Sequence, residues 1–411
     1  MSTKKQSRRK IAVVTGTRAE YGLLKNLLNE IKLDVDLQLQ LIVTGMHLSS
    51  EFGLTYLEIE NDCFEIDAKI EMLLSSDTAI GVAKSIGIGI LGFADAFERL
   101  KPDVIVVLGD RFEILAAVQT AMILKIPVAH IHGGELTQGA IDDGIRHAIT
   151  KMSHLHFAAT EVYRHRIIQL GESPDRVFNY GALGVERIKK TNLLTKKKLE
   201  VMLNFQFSTP TFLVTYHPAT LSLDKIKDEL RYLFSALDAF LQAKIIFTKS
   251  NADEAGRLIN QQIDLYCEKN INRAKAFTSM GDLNYLSTMQ YCDVIIGNSS
   301  SGIIEAPTLH KPTVNIGNRQ EGRLFADSII QCGIFMDEIE MAIKKALSPE
   351  FKNIVKKTIS PYDSGNTAEK IKKSIKNVEL KKITQKKFYD MAGHEYDIPK
   401  NNYHCRSWRQ S

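Results

Sequence analysis

Two apolar runs, DVIVVLG at 103–109 and IPVAHIH at 126–132, stop abruptly at polar residues: Asp110 and Arg111 behind the first, Gly133, Gly134 and Glu135 behind the second. Runs of β-branched residues without alternation mark strands covered on both faces, the habit of a parallel sheet. Similar runs recur at 10–15, 37–44, 154–159 and 177–180, then at 211–216, 244–248, 274–278, 293–296 and 313–316. Between them, segments such as 18–31, 112–124, 225–242, 253–269 and 284–291 space apolar residues three and four apart, as amphipathic helices do. This is the alternation of βαβ units, and open parallel sheets bind ligands beyond the carboxyl ends of their strands. Acids delivered by neighbouring strands can therefore share one pocket.

A chain of 411 residues outgrows a single core, so two α/β units are expected, each a Rossmann-like, doubly wound sheet, facing a central cleft. The expected limits are 1–187 for the first and 204–365 for the second, with a closing helix near 367–378 and an irregular, basic remainder to 411. The basic stretch 187–203 lacks a strand signal and reads as the linker, near which hinge motion is expected. The net charge of +5 is gathered in lysine-rich stretches without interleaved aromatics, the pattern of solvated faces and not of a nucleic-acid surface. The first ten residues, MSTKKQSRRK, lack the apolar core of a secretion signal, and the most apolar window, 80–97, is broken by Lys84 and four glycines. A cytoplasmic protein with neither a membrane span nor a nucleic-acid partner is expected. Five scattered cysteines without CxxC spacing (Cys63, Cys267, Cys292, Cys332 and Cys405) read as reduced thiols.

Several polar motifs sit directly behind strands. Gly16 to Gly22, GTRAEYG, offers amides and the Arg18 guanidinium at a helix start, suited to an anion but without full dinucleotide spacing. Asn298, Ser299, Ser300, Ser301 and Gly302 follow the run DVIIG; one serine would suffice for a helix cap, and three can surround a diphosphate. Glu305 follows at helical spacing and could accept from a ribose diol. His217, in TYHPATL, ends a strand and can donate to a phosphate, while Arg319 and Arg323, in GNRQEGR, can neutralise a leaving diphosphate. His130 and His132, two apart on one strand, point to one face and suggest a divalent metal with Glu135 or Asp110. Later strand ends offer Ser, Asn and Arg, not further ligands, so no metal is expected.

Taken together, GTRAEYG, VTGMH, LGDRFE, HIHGGE, IDDGIRHAITKMSHLH, HPATL, SNAD, GNSSSGIIEAP and IGNRQEGR, in this order over 10–367, resemble the hydrolysing UDP-N-acetylglucosamine 2-epimerases, with the look of the bacterial sialic-acid branch. The resemblance implies two Rossmann-like domains of GT-B type, a UDP-sugar substrate, no cofactor, and a homodimer or homotetramer. It places catalytic acids on Asp110 and Asp142, with Asp143 beside the latter and Arg146 and His147 completing that motif. Nucleotide and sugar contacts fall on Arg18, Arg111, His217, Asn251, Ser299, Ser300, Ser301, Gly302, Glu305, Arg319 and Arg323. Where many relatives carry a glutamate this chain has His132, with Glu135 three residues on; Glu135 is favoured for that acid/base role and His132 is the other candidate.

The implied reaction explains such a cluster. The C2 hydrogen of an N-acetylhexosamine is barely acidic, so its removal must accompany departure of UDP from C1, giving a glycal that is then hydrated. Closure of the two domains would keep the glycal from escaping. The expected product is N-acetylmannosamine, made for sialic acid of a capsule or lipopolysaccharide. A sister enzyme acting on UDP-N,N'-diacetylbacillosamine, toward legionaminic acid, would carry nearly the same motifs. A GT-B glycosyltransferase would share the fold but need an acceptor, and a sensor would bind without turnover.

Overall fold

The computed structural model describes residues 8–74, 78–137, 141–218, 226–250 and 256–391. All eleven apolar runs are strands. In the first half these are β1 (Arg9–Thr15), β2 (Leu37–Thr44), β3 (Ala68–Ile70), β4 (Val104–Leu108), β5 (Val128–Ile131), β6 (Leu155–Ala158) and β7 (Val177–Asn179). The second half carries β8 (Thr211–Thr215), β9 (Lys244–Thr248), β10 (Ala274–Phe277), β11 (Val294–Gly297), β12 (Thr313–Ile316) and β13 (Ile329–Cys332). The sheet orders are β3-β2-β1-β4-β5-β6-β7 and β10-β9-β8-β11-β12-β13, with parallel pairing throughout. Two strands, β3 and β13, lie outside the expected runs. Both are short edge strands whose apolar residues are interrupted by an exposed polar one, Lys69 in β3 and Gln331 in β13.

Each sheet is covered on both faces, as unalternating strands require. Ile11, Val13, Val104 and Val106 pack on one side of the first sheet, and Ala12, Val14, Ile105 and Val107 on the other. The strand order reverses between β1 and β4 and again between β8 and β11, and crevices at such switch points are where doubly wound sheets bind ligands. Gly297 ends β11 at φ 131°, with a Cβ position 1.9 Å from Thr215 O; only glycine allows β8 and β11 to approach so closely at this point.

The stretch expected as the linker, 187–203, holds the end of the helix Leu183–Lys190 and the helix Lys196–Leu203. Leu199 and Leu203 are buried against the second sheet, with the lysines on the outer side. The helix Thr367–Asn377 returns to the first half, where Ala368, Ile371 and Ile375 join the cluster that holds Leu24, Leu27 and Ile31. Its lysines are not simply solvated: Lys372 lies 3.2 Å from Glu30, and Lys376 lies 2.7 Å from Asp34. Among the described residues one helix, Ala79–Leu100, is long and apolar enough by composition to cross a membrane; its Phe93 and Phe97 pack into the first half's core, while Ile80 and Leu91 are exposed.

Candidate active site

The loops behind β1, β4 and β5 face those behind β8, β11 and β12 across one cleft of about 330 Å³. Arg18, Asp110, Arg111, His132, Glu135, Asp142 and Arg146 line it from the first half, and His217, Ser299, Ser300, Ser301, Glu305, Arg319 and Arg323 from the second. Asp143 and His147 do not line it. Asp143 instead accepts from the Thr137 amide at 2.7 Å and lies 3.6 Å from His147, holding the first turn of the helix Ile141–Met152. Gly302 also faces elsewhere, with its carbonyl accepting from Thr313 Oγ1 at 2.9 Å. Asn251 and the ATL of HPATL lie outside the described residues.

On the first wall, Arg146 is buried, bonded to Asp110 and at 3.0 Å to Thr137 Oγ1. Its Nε and Nη1 have no hydrogen-bond partner, a cost of about 1–3 kcal/mol for each buried donor that a ligand's acceptors can relieve. Arg111 donates to Glu113 at 3.3 Å. Strand alternation fails for the histidine pair, because β5 ends at Ile131 and His132 turns to φ 65°. His130 is spent in the core, bonded at 2.8 Å to Gly109 O and at 3.2 Å to Thr150, whereas His132 lines the cleft. Among the described residues no group of three His, Cys, Asp or Glu side chains is placed to hold a metal ion.

Glu135 is gripped from both sides, by His132 Nδ1 at 2.7 Å and by Arg323 at 3.1 Å. Burial alone would raise its carboxyl, but Arg323, His132 and Arg146 outweigh that and hold it at about 2. Arg323 also donates to Leu136 O at 3.2 Å. The loops meet so tightly that a Cβ on Gly322, at φ 80°, would lie 2.6 Å from Leu136 Cδ1.

On the second wall, Asn298 ties the β8 and β11 loops together by accepting from His217 N at 2.7 Å and donating to His217 O at 2.8 Å. His217 Nδ1 lies 3.2 Å from Ser250 Oγ. The helix behind the serines is short, Ser300–Ile304, so hydroxyls rather than a long helix dipole give this wall its character. Ser301 donates to Glu305 and accepts from Tyr285 at 3.0 Å, and Arg319 and Gln320 hold Asn298 O at 3.1 and 2.7 Å.

Three groups at or beneath the cleft escaped the sequence reading: Arg187 and Glu20 line it, and Glu113 lies beneath. Arg187, in the supposed linker, bridges the halves, reaching Asp282 at 2.5 Å and Glu305 at 2.6 Å. Glu20 accepts from Gly16 N at 2.7 Å, and Glu113 fills the space beside Gly16 and Gly45. Glu20 lies within GTRAEYG and Glu113 within LGDRFE, so position in a motif was the available signal.

The solved structure of UDP-GlcNAc 2-epimerase from Neisseria meningitidis bound to UDP-GlcNAc superposes with a TM-score of 0.74 at 20% identity, covering 89% of this chain and 99% of that one. It shows the shared two-sheet fold. The GDP/UDP-N,N'-diacetylbacillosamine 2-epimerase (hydrolyzing) of Campylobacter jejuni is 48% identical over 94% of this chain and 100% of its own length. The polysialic acid biosynthesis protein P7 of Escherichia coli is 36% identical over 93% of this chain and 98% of its own. The family described as UDP-N-acetylglucosamine 2-epimerase matches residues 29–376, and with these near full-length relatives the chain belongs to that family.

Proposed function

We propose that the protein is a hydrolysing 2-epimerase of a UDP-activated acetamidohexose, acting on UDP-N,N'-diacetylbacillosamine to release UDP and the C2-inverted sugar. The observation that carries the reading is the two-sided cleft. Carboxylates and His132 stand on one wall, hydroxyls and arginines on the other, within one 330 Å³ space. The second wall, with Ser299, Ser300, Ser301, Arg319 and His217, is fitted to a diphosphate and to the negative charge that grows on it as C1–O breaks. On this reading the ribose diol falls to Glu305, which already accepts from Ser301 and Arg187. On the first wall the exchange at C2 then falls to the groups beside the sugar, Asp110, Asp142 and His132, and an acetamido carbonyl to the buried Arg146 donors without hydrogen-bond partners. No nicotinamide, flavin or metal enters this route.

The 48% identity to the Campylobacter protein favours the diacetamido sugar over the sequence expectation of plain UDP-N-acetylglucosamine. The likeness to the polysialic acid protein keeps UDP-N-acetylglucosamine, with N-acetylmannosamine as product, as the second reading. The test incubates the protein, without acceptor, with UDP-N,N'-diacetylbacillosamine, its GDP counterpart or UDP-N-acetylglucosamine in heavy water, and follows nucleotide release and C2 deuteration by NMR. Faster turnover of the UDP-linked diacetamido sugar, with deuterium at C2, is expected. Preference for UDP-N-acetylglucosamine would select the second reading, and release only with an added acceptor would make the protein a transferase.

A further inference from the structure

Glu135 has both oxygens engaged and its charge held by Arg323, so it has little tendency to take a proton from carbon. As an ionised carboxylate it can only accept hydrogen bonds. His132 must then carry its ring proton on Nδ1, toward Glu135 Oε1, which leaves a lone pair on Nε2. That Nε2 is buried with no hydrogen-bond partner, on a residue that lines the cleft. The left-handed turn at φ 65° takes His132 out of the strand.

We propose that His132 is the catalytic base that removes the C2 proton of the nucleotide sugar, with Glu135 as its positioning residue. Arg323, reaching Glu135 from the second half, makes that pairing depend on closure of the cleft. The assignment rests on the epimerase reading above and says which group performs its first step. Nε2 bonds to the C2 hydrogen, the C–H electron pair becomes the C1–C2 double bond, and the C1–O bond breaks with its pair leaving on UDP. Glu135 stabilises the imidazolium so formed. Hydration then takes the new C2 hydrogen from an acid on the other face of the ring and the C1 hydroxyl from water. The second proton of that water restores the acid, and His132 returns its own proton to solvent.

The experiment compares wild type, His132→Asn and Glu135→Gln for kcat, KM and pH profile on the nucleotide sugar that wild type turns over, with UDP binding as the check on folding. Asparagine tolerates a positive φ, so His132→Asn should fold. We expect it to lower kcat roughly a thousandfold while UDP affinity stays within about threefold. Glu135→Gln should lower kcat by about 10–100-fold and move the acid limb of kcat/KM to lower pH. The sign follows from the charges facing His132. Losing the anion disfavours the imidazolium, while Arg323 from the second half, Arg146 from Ile141–Met152 and Arg111 behind β4 still oppose it. Asp110 behind β4 remains as an opposite charge, and Tyr163 and Tyr362 stay neutral. A greater loss in Glu135→Gln than in His132→Asn, or an acid limb that does not move, overturns the assignment. Should His132→Asn fail to bind UDP, His132→Gly, unstrained at this φ, carries the same expectation. A wild type that turns over no nucleotide sugar overturns the epimerase reading itself; variants in the wrong order overturn only the base.

Discussion

Glu20 shows how one buried side chain can set a pH dependence. Burial and the neighbouring Glu113 raise its carboxyl to about 8, against the Gly16 amide and Arg111. The folded protein therefore keeps a proton that the unfolded chain has lost above about pH 4.3, and stability falls as pH rises from there to about 8. Glu20→Gln, a neutral mimic of the protonated acid, should match wild type near pH 4 and exceed it by roughly 1–3 kcal/mol at pH 8 in urea unfolding. A difference that is the same at both pH values would show that Glu20 does not hold the proton. Legibility at this scale follows position. Asp110, His217 and Ser299 could be read from the sequence because a polar residue directly behind a buried strand has few other places to point. Glu20 and Glu113 could not, since a charge in an amphipathic helix pattern normally faces water, and only the fold shows these first turns meeting beneath the cleft.

Among the elements, Thr367–Asn377 ties the sequence's last described helix to the first half. Ile371 and Ile375 are fully buried beside Leu24, Leu27 and Ile31, while the ion pairs to Glu30 and Asp34 are partly exposed and contribute at most about 1 kcal/mol each. Packing therefore decides whether the helix stays docked. Ile371→Ala should cost about 2–5 kcal/mol in denaturant unfolding, and Lys372→Met less than about 1 kcal/mol. The reverse ranking would mean that charge, not burial, holds the helix. The pattern of the eleven expected strands was plain in the sequence because most are largely apolar runs. The edge strands β3 and β13 and the helices at 183–203 were not, because short elements with one covered face leave too few apolar positions to show a period.

At the scale of the whole molecule, the decisive contacts join residues far apart in sequence, which no local pattern can announce. The motifs behind each strand revealed two half-sites; what makes them one site is the strand order and two ionic bridges, Arg323 to Glu135 and Arg187 to Asp282 and Glu305. Arg187 and Glu305 stand 118 positions apart. The Arg187 guanidinium is buried, and it is the counter-charge to two carboxylates that belong to the second half. Burial raises the Asp282 carboxyl, with Arg187 and, more weakly, Lys25 opposing, so Arg187 is the main cation that holds it. Removing it would leave Asp282 and the buried Glu305 without their direct ion-pair partner, with only Lys25 and Arg18 nearby, a loss on the order of 3–5 kcal/mol that the protein can avoid by opening the cleft. Arg187→Met should thus raise KM for the nucleotide sugar about tenfold or more with a smaller change in kcat, and enlarge the radius of gyration of the unliganded protein in solution scattering. Arg187→Lys, with one point charge in place of a fork, should fall between the two. Unchanged scattering and KM in Arg187→Met would show that packing around Tyr163, Ile303 and Tyr362, with the Arg323 bridge, suffices to hold the halves together.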